Sequence, residues 1–567
     1  MNNILGRSMM KLYTQYFKVY YRNRLLLLLT ALIIGFCFYQ VISMYIKWPD
    51  MALTPLEVTL KQAKYTYIFF LIAGYMFFYS GRQVRAEECI AATPAGNSRK
   101  QYAAQFAVMV SIALLVSLAL IICNVVIFEI INSRYCEGGA GLDYVGHIVK
   151  CIFVYIFLNG ILAICFGVLF HRIGNRIVGY GLILAVIFIS SPYVEKLTNT
   201  LMDTMNINLF AFKNCFDIFP INLRFAINYE FGFSVLPYKI AVIVFWIAFA
   251  AAGVVFVLRL PRRRLWAACA AAVCIVSLVV YTAPASKVVM DFSPDGSAMH
   301  DMFYYTDNPN VKEKKADFRI TKYDMDINIG RQLRAEAKLT IDKHDLKQYE
   351  LTLYHSYIVD SVKNQSGEAL QFKQSGDYLQ INRGQNNTRE LIISYSGAAK
   401  AYYSNSQGIY LTGDFQYYPA AGYLELADTS NGFIKWHFLE EEAYFDVDVK
   451  YHKQVYSNLE QKSKNHFVGK ANGVTLMAGL LSEKTDGTNK IIYPSYADYD
   501  KKENNSTLEL LKECNYSGAT FVIVPNMNQN SSCNVSSRQI ISSTPLYSSE
   551  GFRQEWIELL TNQKEGE

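Results

Sequence analysis

Eight histidines, at positions 147, 171, 300, 344, 355, 437, 452 and 466, are where metal chemistry would have to begin. Zinc hydrolysis needs two histidines one helical turn apart, a third ligand and a carboxylate base. No two histidines here stand four residues apart, and no H-E-x-x-H occurs. His437-Phe438-Leu439-Glu440 comes nearest to a metal pair and reads as a surface histidine, so neither catalytic residues nor a metal site are assigned. A phosphate-cradling G-x-x-x-x-G-K-[ST] loop is also missing, since Gly469-Lys470 lacks the upstream glycine spacing. Any ATP and Mg chemistry therefore belongs to a separate subunit, and this chain binds no cofactor of its own. Glu440-Glu441-Glu442 offers a cation or a basic peptide a partner, but such a run reads first as a solvated loop. Of 11 cysteines, only Cys514 and Cys533 fall in the C-terminal half, which leaves one disulfide open between them. Cys37, Cys123, Cys151, Cys165, Cys269 and Cys274 lie in apolar runs and read as small packing residues.

The elements around these residues divide the chain in two. Hydrophobic residues make up 52% and charged residues only 18%, an apolar balance for a soluble protein. Residues 1–283 carry 24 Lys/Arg against 11 Asp/Glu, whereas residues 284–567 carry 30 against 37. Cations seated beside apolar runs exclude a nucleic-acid binder and a fully soluble enzyme. Seven runs suffice to cross about 30 Å of hydrocarbon as helices. They lie near Leu25–Ile46, Tyr65–Ser80, Ala104–Ile131, Ile148–Phe170, Ile177–Val194, Ile240–Leu258 and Leu265–Ala283. With the N-terminus in the cytoplasm, the inside segments hold 15 Lys/Arg in 56 residues and the outside loops 8 in 79. That orientation places residues 284–567 outside a multi-pass plasma-membrane protein. Asn124, Glu129 and Asn159 are the polar candidates within the spans, for transport or for helix–helix hydrogen bonds, and Glu129, within a turn of the outer end, also for an interfacial position. Trp48 and Trp266 sit at span ends as interface anchors.

Between the second and third spans run Gly81-Arg82-Gln83-Val84-Arg85-Ala86 and then EECIAATPAGNSR, from Glu87 to Arg99. This segment resembles the loop of type-2 ABC exporter permeases, in which a Glu-rich stretch runs into "ATP-x-S-R" and couples to the ATPase. The resemblance assigns Arg82, Arg85, Glu87, Glu88, Pro94 and Arg99 to ATPase coupling. It implies an ABC ATPase partner, a homo- or heterodimer of permease subunits, and a hydrophobic or amphipathic export substrate.

After a polar linker over 284–316 the hydrophobic period becomes two. Tyr323, Met325, Ile327 and Ile329 alternate with polar residues, as do Leu333, Ala335, Ala337, Leu339 and Ile341, with Gly330-Arg331-Gln332 as the hairpin turn. Further strands are expected near 350–354, 357–362, 370–372, 378–381, 391–395, 443–449 and 473–478. The expected fold is thus a multi-span helical membrane domain (1–283), an extracytoplasmic antiparallel β-sandwich (317–490) and a small α/β segment (491–567). The order of strands, with "LIISYSG" at Leu391–Gly397, Tyr417-Tyr418-Pro419 and "FDVDVKY" at Phe445–Tyr451, resembles the N-terminal β domain of aminopeptidase N-like zinc peptidases. "LELLKECNYSGATFVIVP", residues 508–525, resembles the helix and strand that open that family's catalytic domain. Here the chain departs from the pattern, because Asn526–Gln539, "NMNQNSSCNVSSRQ", stands where G-x-M-E-N binds the substrate's amino end. The resemblance therefore implies a pseudo-peptidase module, or a chain that stops before the catalytic helix. The leading expectation is a non-enzymatic ABC permease subunit, whose substrate is expected to be peptide- or lipid-like from the outer domain's likeness to peptidases. Its rivals are a membrane-anchored binding or sensor protein and a fragment of a tethered aminopeptidase.

Overall fold

In the computed structural model the chain forms two compact units, a helical one and a mostly-β one. The structure describes residues 2–283 apart from 49–52, 84–97, 136–140, 174, most of 192–213, 221–232, 234, 236 and 258–261. It also describes residues 304–561 apart from short stretches, the longest being 309–312, 429–432, 496–500, 525–532 and 543–552.

The helical unit opens with α1 (Asn2–Arg22) and α2 (Arg24–Lys47). The single residue between them, Asn23, caps α2 by accepting a 3.3 Å hydrogen bond from Leu26 N. Then come α3 (Thr54–Lys61), α4 (Ala63–Gln83) and α5 (Ser98–Tyr135). The next run is α6 (Gly141–Ile152), a π-helical turn (Phe153–Leu158) and α7 (Asn159–Arg172). α8 (Arg176–Ile189), α9 (Pro237–Val257) and α10 (Arg263–Thr282) complete the unit. Five helices among the described residues are long and apolar enough to cross a membrane: Arg24–Lys47, Lys100–Arg134, Tyr144–Arg172, Pro237–Val257 and Arg263–Thr282. The expected second run lies inside the 21-residue α4. The expected fifth run ends early, because Ser190 and Ser191 bond back to Val186 O (2.7 Å) and Phe188 O (2.6 Å) and Pro192 follows.

Helices α4 and α7 approach closely at two glycines. A Cβ on Gly167 would stand 2.8 Å from Tyr75 N, and one on Gly74 would stand 3.5 Å from Ile164 Cα. Small residues at such a crossing let backbones meet without side-chain spacers. One end of the bundle collects cations on aromatic faces, with the Arg172 guanidinium 4.3 Å from the Tyr102 ring centre and that of Arg176 4.8 Å from Tyr79. The outward faces of α2 and α10 are strongly apolar, with Leu28, Leu32, Ile275 and Val276 exposed.

In the β unit, alternation folds as the pattern requires. Strand Ile320–Ile329 buries Tyr323, Met325, Ile327 and Ile329 and pairs antiparallel with Leu333–Ile341, Ile329 facing Leu333 across the three-residue turn. These strands lie in a seven-stranded sheet. A four-stranded sheet containing Gln348–Thr352 and Tyr378–Asn382 shares a core with it, including Tyr323, Tyr349, Leu351, Ile381 and Phe445. The expected all-antiparallel pairing needs one correction. Ile320–Ile329 and Ala443–Lys450 run parallel, Asp324 facing Asp446 and Asp326 facing Asp448. The chain returns to that edge only after more than a hundred residues spent building other strands, so no hairpin dictates its direction.

A five-stranded mixed sheet follows, built from Leu481–Asp486, Asn489–Pro494, Thr520–Ile523, Gln539–Ser542 and Cys533–Val535 in spatial order. Helix α11 (Lys501–Glu513) contributes Leu508 and Leu511 to the core that this sheet forms with Tyr493, Phe521 and Ile540.

Candidate functional site

The strongest concentration of polar chemistry lies where the sandwich meets the five-stranded sheet, both within the β unit. The turn at 412–416 delivers Asp414 and Gln416, the loop at 472–475 delivers Asn472 and Thr475, and the hairpin at 533–542 delivers Asn534 and Gln539. Gln539 is fully buried and acts as a bracket. Its Nε2 donates to Gly473 O (2.8 Å), its Oε1 accepts from Thr475 Oγ1 (2.8 Å), and that hydroxyl accepts from Gly413 N (2.9 Å). Satisfying buried polar groups in this way fixes the register of the two layers.

Asp414 is also fully buried. Its Oδ2 accepts from Asn534 Nδ2 at 2.9 Å, while Oδ1 has no partner. Burial pushes its carboxyl above the ordinary carboxylate range, and the Thr412 hydroxyl and the Asn534 amide beside it oppose that rise. Two further acceptors nearby lack partners, Gln416 Oε1 and Asn472 Oδ1. All three residues are bonded to the stretch His437–Leu439. His437 N donates to Asp414 O (2.9 Å), Gln416 Nε2 donates to His437 O (2.5 Å), and Leu439 N donates to Asn472 O (2.7 Å). Three buried acceptor oxygens, on residues bonded to one segment, are thus left without a donor.

Several residues singled out by sequence fall elsewhere. His437 is half-buried rather than on the surface, and its Nε2 bonds to Glu425 O at 2.8 Å. Each member of the acidic triplet is paired within the unit: Glu440 with Lys315 (2.6 Å), Glu441 with Arg319 (2.5 Å) and Glu442 with Arg538 (3.1 Å). The triplet's carboxylates are thus each ion-paired at the surface of the unit. Cys514 is buried in the α11 core, Cys533 opens an edge strand, and the Cys533 side chain lies outside the described residues. A catalytic zinc is what the peptidase resemblance would bring. Among the described residues no three His, Cys, Asp or Glu side chains come together to hold a metal.

In the helical unit, Asn124 is buried on α5, where its Nδ2 donates to Thr59 Oγ1 and to Leu120 O, each at 2.8 Å. Asn159, at the end of the π turn, donates to Tyr155 O (3.0 Å) and Ile218 O (2.9 Å), tying α7 to the segment at 214–220. Buried Lys239 is paired with Asp217 in the same segment. Glu129 is exposed. Arg85, Glu87, Glu88 and Pro94 lie outside the described residues. Arg82 lies in the last turn of α4 and Arg99 in the first turn of α5, and their side chains are likewise outside.

No family model and no curated protein matches this chain. Solved structures similar to part of it are zinc aminopeptidases of the M1 type. A mutant M1 zinc metallopeptidase from Deinococcus radiodurans, bound to a Tyr-Ser-Ala substrate, is 14% identical with a TM-score of 0.29; the match covers 44% of this chain and 65% of that one. Aminopeptidase A of Legionella pneumophila, in complex with aspartic acid, is 13% identical over 45% of this chain and 35% of that chain, with a TM-score of 0.33. Native yeast LTA4 hydrolase is 12% identical over 40% of each chain, with a TM-score of 0.28. The chain thus spans less than two thirds of the length of each of these three.

Proposed function

We propose that this chain is the membrane-embedded permease subunit of an ABC-type exporter, driven by a separate ATPase, with its β unit outside the cell membrane. The observation that carries the reading is the set of five membrane-length helices, two of which turn large apolar side chains outward: Leu28, Leu32 and Phe36 on α2 and Ile275, Val276 and Val279 on α10. Such surfaces have no place in water and suit lipid or a second permease subunit. Cations clustered at one bundle end support a cytoplasmic assignment for that end. The ATPase would dock on the segment carrying Arg82, Arg85, Glu87, Glu88, Pro94 and Arg99, in keeping with the resemblance to type-2 permeases. No hydrolytic step is asked of this chain, whose part is to alternate access for a peptide- or lipid-like substrate.

The test is affinity recovery of an ATPase with the tagged chain from native membranes. Recovery falls at least tenfold on combined Arg85→Glu, Glu87→Lys and Glu88→Lys substitution, and undiminished recovery removes the coupling assignment.

A second reading, a membrane-anchored binding protein, is favoured by the unpartnered Oδ1 of buried Asp414. There the β unit holds an amine-bearing ligand, and the same charge reversals leave function intact.

A further inference from the structure

Helix α1 has a surface that neither transport nor the β-unit site uses. One face carries Tyr13, Tyr16, Phe17 and Tyr20 at helical spacing and packs on the bundle. Tyr13 Oη donates to Ser111 Oγ at 3.0 Å, and the Tyr20 ring lies 5.4 Å from Phe77. The opposite face carries Lys11, Lys18 and Arg22, all exposed. At 3.6 residues per turn these three fall within roughly 40° of one another, and Arg7 precedes Lys11 by four residues. No Asp or Glu occurs before Asp50 to neutralise them. Beside the stripe, Met10 is 66% exposed, Tyr21 65% and Val19 48%. The combination of a cationic stripe with apolar and aromatic shoulders is that of a helix lying in a membrane interface. Its position agrees, because Asn23 alone separates it from the apolar α2, so the stripe is held where that helix enters the bilayer.

We infer that α1 is an interfacial helix whose Lys11, Lys18 and Arg22 bind the phosphate groups of anionic phospholipids in the cytoplasmic leaflet. An acidic protein such as the ATPase is the other cationic-stripe partner to be considered. The exposed Met10, Val19 and Tyr21 favour lipid, since they match the headgroup–acyl boundary on both sides of the charges. The inference rests on the bundle being membrane-embedded.

Native mass spectrometry of the full-length chain in detergent, titrated with phosphatidylglycerol and separately with phosphatidylcholine, tests it. The wild type is expected to retain phosphatidylglycerol preferentially. The Lys11→Gln/Lys18→Gln/Arg22→Gln variant should lose about fivefold in affinity per cation, roughly a hundredfold in all, with no change for phosphatidylcholine. The Lys11→Arg/Lys18→Arg variant should bind as wild type, which separates charge from folding. Unchanged phosphatidylglycerol retention in the triple variant overturns the inference, as does loss of ATPase recovery with lipid retention intact. A chain released from membranes by alkaline carbonate fails the membrane reading itself, whereas one that stays in the membrane and ignores phosphatidylglycerol fails this inference alone.

Discussion

Replacing Asp414 by Asn should stabilise the β unit at neutral pH. The carboxyl is fully buried, one oxygen is bonded to Asn534 at 2.9 Å and the other has no partner. An unsatisfied buried polar group costs about 1–3 kcal/mol, more when charged. An amide of the same shape keeps an acceptor for Asn534 and puts a neutral N–H group where the unpartnered oxygen stood. The gain is the difference between burying a charged and a neutral unpartnered group. The variant should therefore gain about 2 kcal/mol at pH 7, or roughly 4–8 °C for a unit of this size.

The pH dependence follows from the raised folded-state pKa. Folding tightens proton binding at Asp414, so the wild type keeps its full stability below the unfolded carboxyl value and loses some as pH rises through the folded one. The gap between variant and wild type should vanish near pH 4 and widen towards pH 7. Pulse proteolysis of the detergent-solubilised full chain in urea, following a C-terminal tag across that range, measures it. A variant less stable than wild type at pH 7, or a gap that ignores pH, would refute the reasoning, because the charge would then be compensated.

Other outcomes follow from close packing and bridging bonds. Gly167→Val should lower the stability of the helical unit by about 1–3 kcal/mol, because the added carbons meet the backbone of α4, and an unaltered melting profile in detergent would contradict that close approach. Gln539→Leu strips the bonds to Gly473 and Thr475 and should cost about 2 kcal/mol in the same proteolysis assay. Thr475→Val should cost less in the Gln539→Leu background than in the wild type, since one of the two bonds it breaks is already gone and only that from Gly413 N remains to be lost; strictly additive losses would argue against a shared network.

Local pattern carried far into this fold. Apolar run length marked the membrane-length helices, and strict alternation from Tyr323 to Ile341 marked the first hairpin down to its three-residue turn. What escaped depends on distance along the chain. Asp414 meets Asn534 across 120 positions and Thr475 meets Gln539 across 64, so nothing near either residue announces the contact. The turn Thr412-Gly413-Asp414-Phe415-Gln416 looks like any polar connector until the hairpin at 533–542 closes over it. Strands of two to four residues, such as Tyr456–Ser457 and Glu460–Ser463, are too short to show a period. The parallel pairing of Ile320–Ile329 with Ala443–Lys450 is likewise set by the path between them rather than by either strand. Charge counting registered the N-terminal cations, and only the helical register of α1 gathers Lys11, Lys18 and Arg22 into one stripe.

The central claim is that residues 1–283 lie in a membrane and hold the β unit on the far side from ATP. Labelling intact cells that carry a single C-terminal tag with a membrane-impermeant reagent tests it most directly. The account predicts full labelling without permeabilisation. Labelling that appears only after the membrane is opened would contradict it.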